Sequence, residues 1–195
     1  VSNRGPAQFD RDPEGERTLS RGGGGLVTAL TGLVKDRKAL WIASAMTAED
    51  AAVTEENDGR PIDVNVNGID YQVVMVESDP EAYENFYNVI ANPILWFIQH
   101  YLWDLSNAPD IRQEELDAWD EGYQAVNRDI AEAVLRRIEG RERPLVMLHD
   151  YHLYTAPGMI RAARPDAFLH HFVHIPWSQP DSWRILPGRI REAIF

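Results

Sequence analysis

Apolar runs and polar stops alternate most clearly from Leu145 to Pro187. Leu145, Val146, Met147 and Leu148 form an unbroken apolar run that stops at His149-Asp150. Such a run predicts a strand buried on both faces. Thr155 to Ala163 suits a short helix, halted at Arg164-Pro165 because the residue before proline resists helical dihedrals. Phe168 to Ile175 reads as the next strand, so both strands are expected to finish on a histidine, His149 and His174. In an open parallel sheet, ligands bind beyond the carboxyl ends of the strands. Asp150, His152 and His174 would meet at that edge, with Tyr151, Trp177 and Trp183 as flat surfaces for a sugar ring.

The rest of the chain follows the same logic. Val1 to Asn3 reads as the end of a first strand. Gly5 to Arg21 is polar, with Gly5-Pro6, Asp12-Pro13 and Glu14-Gly15, and predicts a mobile loop. Arg21-Gly22-Gly23-Gly24-Gly25 precedes Leu26, Leu30, Leu33 and Val34 at helical spacing, which gives strand, glycine-rich turn, helix. Glycines there permit close backbone approach, and a helix's first N–H groups attract anions. The run matches neither the dinucleotide fingerprint nor a Walker motif, and a plain hinge is an equal reading. Ala39 to Ala45 is a short strand, and Thr47 to Arg60 an acidic loop. Asn67-Gly68 between alternating segments signals a β-hairpin insert over Pro61 to Val76. Asp79-Pro80-Glu81 starts a helix. The aromatic stretch Tyr83 to Tyr101 is read mainly as core, broken into two helices at Pro93. Gln113 to Glu139 is a long amphipathic helix ended by Gly140.

This order of elements predicts an α/β class: a Rossmann-like, doubly wound, mostly parallel sheet with a hairpin insert, as one domain over residues 1–195. Val1-Ser2-Asn3-Arg4 without a methionine, and Phe195 inside an amphipathic stretch, suggest a fragment incomplete at both ends.

Composition narrows the function classes. The net charge of −12 over 195 residues argues against a nucleic-acid surface, though not against one local phosphate site. The absence of cysteine removes disulfides and thiolate metal sites. No apolar run reaches the length of a bilayer span. A cytoplasmic location fits.

Five of six histidines fall between His149 and His174. The spacing is poor for a metal: His149 and His152 straddle a strand end, and His170 and His171 point to opposite faces. No metal site is expected. His149 reads as a buried histidine satisfied by backbone.

Several motifs then occur in one order: Ser2-Asn3-Arg4, Gly24-Gly25-Leu26, Asn92-Pro93-Ile94-Leu95-Trp96 with His100-Tyr101, His149-Asp150-Tyr151-His152-Leu153, and Phe172-Val173-His174-Ile175-Pro176. The set resembles the N-terminal half of the trehalose-6-phosphate synthase family, and the resemblance covers most of the chain. It implies half of a GT-B fold, retaining transfer of glucose from a nucleotide-glucose to glucose 6-phosphate, and no metal or other cofactor. The partners it implies are those substrates and the chain's own C-terminal domain, absent here, which holds most nucleotide contacts. Homo-oligomerisation is left open, and no turnover is expected from this part alone.

By motif, Arg4 should bind the acceptor phosphate, where guanidinium contacts are bidentate and charge-assisted. Tyr87 and Trp96 match aromatic acceptor contacts. Gly24 and Gly25 should lie against the donor phosphates. Asp150 and His174 match the residues around the reacting sugars, Asp150 positioning the acceptor and His174 meeting the donor glucose. The chain departs from the family at Ser44, where a second tryptophan usually follows the one matching Trp41, and in the HIPW continuation. Relatives that use other phosphorylated acceptors, including glycerol 3-phosphate and the validoxylamine type, therefore stay open. So does a non-catalytic sugar-phosphate sensor; a metal hydrolase built on the histidines is the least favoured reading.

Overall fold

A computed structural model describes residues 1–34, 37, 39–102 and 111–195. The chain divides into two compact units, Val1–Glu77 and Ser78–Phe195.

In the first unit, Val1 to Asn3 runs as strand-like backbone beside β3 (Leu40–Ser44). Ser2 bridges Ala43, and its N–H donates to Ile42 O at 3.1 Å. Beyond β3 lie β5 (Ile69–Val76), parallel to it, and β4 (Ile62–Val66), antiparallel to β5 through the Asn67-Gly68 turn. The expected hairpin is present, and β5 builds it into the sheet. Asn67 and Gly68 both take positive φ, as the turn requires. The apolar face carries Trp41, Ala43, Val64, Val66, Tyr71, Val73 and Met75, closed by Leu30 of α1 (Gly25–Val34).

Two segments expected as loops are regular structure. Gly5 to Arg21 contains an antiparallel hairpin, β1 (Ala7–Arg11) and β2 (Arg17–Arg21), turning through Asp12 to Glu16. Thr47 to Arg60 contains α2 (Ala48–Glu56), with Thr47 as N-cap accepting from Asp50 N. The two support each other. Asp50 is buried, and its carboxylate accepts from Phe9 N at 2.7 Å and Met46 N at 2.9 Å. Thr47 Oγ1 donates to Phe9 O at 2.6 Å, and Arg17 bonds both Glu49 and Glu56.

The second unit opens with α3, which starts at Pro80 behind the Asp79 cap and continues through Asn85–Trp96 to Gln99. Pro93 does not break it. Residues Asn85–Trp96 are π-helical, and the wider turn relieves the clash a proline ring makes with the preceding α-turn. The second long helix, α4, runs through Gln113–Asp117, Ala118–Tyr123 and Gln124–Ile138, again with a π segment in the middle. Gly140 takes positive φ just past its end. These helices pack through Phe86, Ile90, Leu95, Trp119, Tyr123 and Val126.

The remaining elements are β6 (Leu145–His149), a 3-10 turn (Tyr151–Leu153), α5 (Ala156–Ala163) and β7 (Phe168–Phe172), then a 3-10 turn (Pro180–Ile185) and α6 (Gly188–Ile194). β6 and β7 are parallel. Two expectations change here. β7 ends at Phe172, two residues before His174, so only β6 finishes on a histidine. Leu145 is exposed and Met147 only half-buried, so β6 is not covered on both faces. The ladders β3–β5 and β6–β7 are parallel, and the hairpins β1–β2 and β4–β5 are antiparallel.

Candidate functional site

Each unit carries its own set of candidate residues. In the first, the Ser2-Asn3-Arg4 stretch is tied to β3 by side chains as well as backbone. Trp41 Nε1 donates to Ser2 Oγ at 2.7 Å, and Ser2 Oγ donates to Arg4 O at 2.8 Å. Ser44 Oγ donates to Asn3 Oδ1 at 3.1 Å, both side chains buried. Ser44 is thus a core tie in this unit.

Arg4 is brought to the glycine turn. A Cβ on Gly23 would sit 3.7 Å from its guanidinium, and one on Gly24 4.0 Å from its Cδ. Gly24 has φ +112°, and Gly25 is the first residue of α1. A guanidinium beside a helix N-terminus with exposed backbone is a surface suited to a phosphate. Gly22 has a different task. Its N–H donates to Pro6 O at 3.0 Å, and a Cβ there would fall 1.9 Å from Gly5 O.

In the second unit, the chain leaves β6 into Asp150 at φ 76°, a sparsely populated conformation for a residue with a side chain. The surroundings fix it. Asp150 N donates to Phe172 O at 2.8 Å. His171 Nε2 is 2.9 Å from Asp150 O and bonds it, while Asp150 Oδ1 accepts from Tyr151 N at 3.2 Å and from His174 N at 3.3 Å. Asp150 and His174 are therefore together, joined carboxylate to backbone. The His174 ring lies with its Nε2 3.1 Å from Nδ1 of His149. His149 is satisfied by this imidazole, where backbone was expected. Burial is the largest cause that pushes His149 down to about 3. Burial also lowers His171, opposed by its bond to the Asp150 carbonyl.

The turn after Asp150 is held from below. Tyr123 Oη donates to Tyr151 O at 2.6 Å and accepts from Tyr154 N at 3.1 Å. Asn127 Nδ2 donates to His152 O at 3.0 Å, and Asn127 Oδ1 accepts from Ala156 N at 3.1 Å.

Helix α3 reaches the same turn. Tyr151 Oη donates to Asn92 Oδ1 at 2.8 Å, and Tyr87 stacks on His152 with centroids 5.8 Å apart. Trp96 packs on His100 at 4.0 Å. Tyr87 and Trp96 are nine residues apart. In an α-helix, at 3.6 residues per turn, they would face opposite sides. A π-helix is about one residue wider per turn, so nine residues come close to two whole turns and the rings share an edge. The burial pattern agrees: Phe86, Ile90, Leu95 and Ile98 are buried, while Tyr83, Tyr87, Asn92 and Trp96 line the half-buried margin.

Of three expected surfaces, two are corrected. Trp183 is 2% exposed and belongs to the core. Tyr151 is buried and engaged by Asn92, so it offers no open face. Trp177, 54% exposed, does keep one. Among the described residues, no three His, Asp or Glu side chains converge as a metal site, and no helix is long and apolar enough to cross a membrane. Sequence reading missed the His149 pairing, and it missed Asn92, Asn127 and Tyr123 as supports of the turn. Asn92 sits inside a quoted motif; the others leave no local signal.

In the second unit, then, an α/β strand end leads into a carboxylate bonded to a histidine's backbone, with aromatic rings along one helix margin. The comparisons with known proteins supply the family. Residues 1–195 match glycosyltransferase family 20, and the chain belongs to that family. It is 33% identical over its full length to a validamine 7-phosphate valienyltransferase of Streptomyces hygroscopicus subsp. jinggangensis, covering 39% of that protein. It is 33% identical to the trehalose-6-phosphate synthase of Mycolicibacterium smegmatis, over 97% of this chain and 34% of the relative. The chain thus spans little more than a third of the length of these relatives. Among solved structures, an alpha,alpha-trehalose-phosphate synthase (UDP-forming) from Burkholderia xenovorans in complex with glucose-6-phosphate superposes with a TM-score of 0.65, covering 100% of this chain and 37% of that one, at 20% identity. The E. coli trehalose-6-phosphate protein bound with UDP-2-fluoro glucose gives 0.63 over 87% of this chain and 34% of that one, at 24% identity. The fold is therefore that of part of the GT-B synthases.

Proposed function

We propose that this chain is the acceptor-binding, N-terminal part of a retaining glycosyltransferase that moves glucose from a nucleotide-glucose to glucose 6-phosphate. The observation that carries this reading is the contact of Asp150 with His174 at the end of β6, in a chain that matches the family from end to end. Retention in a single step has the acceptor hydroxyl approach the face from which the nucleotide diphosphate departs. The departing phosphate oxygen then takes the hydroxyl's proton. Asp150 accepts from sugar hydroxyls and orients the acceptor, and orientation accounts for a large part of such a rate. His174 meets the donor sugar. Arg4 binds the acceptor phosphate, Tyr87 and Trp96 border the acceptor, and Gly24 and Gly25 lie against the donor phosphates through their backbone. In this reading the grip on the nucleotide comes from a C-terminal domain of the full-length protein. The reaction uses no cofactor, and the enzyme works in the cytoplasm.

A second reading is favoured by Ser44. It is small, buried and bonded to Asn3, at the place where the family resemblance implies a second tryptophan. A valienyltransferase acting on a 7-phosphate is among the relatives at 33% identity. In this reading the acceptor is another phosphorylated molecule, of the glycerol 3-phosphate or cyclitol phosphate type, and the roles of Arg4, Asp150 and His174 are unchanged.

The test is a product assay on the full-length protein with UDP-, GDP- and ADP-glucose, offered glucose 6-phosphate and then glycerol 3-phosphate and a cyclitol phosphate. A phosphorylated disaccharide lost in Arg4→Ala and Asp150→Ala supports the first reading. Product only with another acceptor supports the second. No product with any pair sinks both and leaves a sugar-phosphate sensor.

A further inference from the structure

His149 closes β6 with only 5% of its surface exposed, and its Nδ1 lies 3.1 Å from Nε2 of the exposed His174. Two imidazole nitrogens at that distance share one proton, so one ring donates and the other accepts. Three contacts fix the His174 ring. Its backbone N–H is held by Asp150 Oδ1, its flank meets the Phe172 ring edge-on at 4.7 Å, and its tip meets His149. Titratable groups nearby include His170 and His171 of β7 and the Asp150 carboxylate. Burial holds His149 neutral far below neutral pH, so one of its two ring nitrogens keeps a lone pair, and Nδ1 is free to be that acceptor. An acceptor role for His149 suits both states of His174. A donor role suits only the neutral one, because a doubly protonated imidazole has no lone pair.

We infer that His149 is a positioning residue: it accepts the Nε2–H of His174, fixes that ring's tautomer, and leaves the Nδ1 lone pair as the ring atom that meets a sugar hydroxyl. His174 then recognises the donor sugar as a hydrogen-bond acceptor, and a donor whose hydroxyl there is replaced by fluorine or hydrogen loses the contact. This inference rests on the reading of His174 as a donor-sugar contact.

The test compares wild-type full-length protein with His149→Phe and His149→Asn. Asparagine keeps an oxygen close to the position of Nδ1; phenylalanine keeps the ring and removes the acceptor. With 15N-labelled histidine, the wild type should show His174 as the Nε2–H tautomer, His149→Phe a mixture, and His149→Asn a return toward Nε2–H. In turnover, His149→Phe should lower kcat on the order of tenfold to a hundredfold, as loss of a histidine-orienting partner does in other sites. KM for the acceptor should stay within about twofold, because the acceptor's own contacts are untouched. Near-UV circular dichroism checks folding; if the Phe variant does not fold, the wild-type tautomer and the Asn variant decide. An Nδ1–H tautomer in the wild type, or an unchanged tautomer and kcat in His149→Phe, overturns the inference. Wild-type protein that makes no product sinks the functional reading instead, while the tautomer measurement still decides the pairing.

Discussion

Trp41 and Ser2 share a buried hydrogen bond across 39 residues, the indole Nε1 donating to Oγ at 2.7 Å. The same hydroxyl donates to the carbonyl of Arg4, so the bond that anchors the first strand also sets where Arg4 leaves it. Ser2→Ala strands a buried indole N–H, which should cost about 1–3 kcal/mol. It should also raise KM for the phosphorylated acceptor more than it lowers kcat. Trp41→Phe combined with Ser2→Ala should cost less than the sum of the single changes, because both partners are then gone. Urea unfolding of the three variants, with acceptor KM, checks both points; additive losses would mean that the bond contributes nothing.

The glycine run separates structure from ligand binding. A Cβ on Gly22 would lie 1.9 Å from a backbone oxygen, which no side-chain motion relieves. Gly22→Ala should destabilise by about 3 kcal/mol or more through overpacking. A Cβ on Gly25 meets nothing within 4 Å, and the residue lies in helical backbone at the start of α1. Gly25→Ala should fold normally. If donor phosphates rest on this turn, it should nonetheless weaken nucleotide-sugar binding, measured by calorimetry. Unchanged affinity would remove Gly25 from the donor site.

Much of the layout was legible because its signals are local. Asn67-Gly68 announced the β4–β5 hairpin, Asp79-Pro80 the start of α3, and Gly140 the end of α4. What was missed depends on partners distant in sequence. Every residue of β2 is exposed, so β1 and β2 show no apolar alternation; what holds them is Asp50, Glu49 and Glu56 across α2. Helix α2 has no apolar stripe, but its Thr47 cap was readable. Pro93 misled because the rule for α-turns was applied where the helix is π. At the site, the motif named Asp150 and His174, but strand period alone could not give the positive φ at Asp150 or the meeting of two histidine rings 25 residues apart.

Tyr123 connects the helical core to the turn that follows Asp150. Its buried hydroxyl donates to Tyr151 O and accepts from Tyr154 N, satisfying two backbone groups at once. Burial pushes this phenol well above its usual range, so it stays protonated at every working pH. Tyr123→Phe keeps the ring stacked on Trp119 but leaves the carbonyl and N–H without that partner. The cost should be about 1–3 kcal/mol, with a fall in kcat as the turn loosens. Thermal unfolding and turnover of the full-length variant test this; full activity at lowered Tm would confine Tyr123 to stability.

Acid should destabilise the second unit through His149. Its pKa lies at about 3 in the folded chain against an ordinary value of 6.5, with burial the main cause. Between those values the unfolded chain binds a proton that the folded chain does not, so stability rises with pH. The contribution is complete above 6.5 and is lost progressively as pH falls toward 3. One such proton corresponds to a slope of about 1.4 kcal/mol per pH unit. Urea titrations from pH 7.5 to 5 avoid most carboxylate titration while crossing the upper part of this window. Over that span the wild type should lose about 1–2 kcal/mol more than His149→Asn, which has nothing to protonate there. Equal losses would mean that His149 takes up its proton while still folded. A doubly protonated His149 has no ring lone pair, so the bond to His174 would then have to run with His149 as donor.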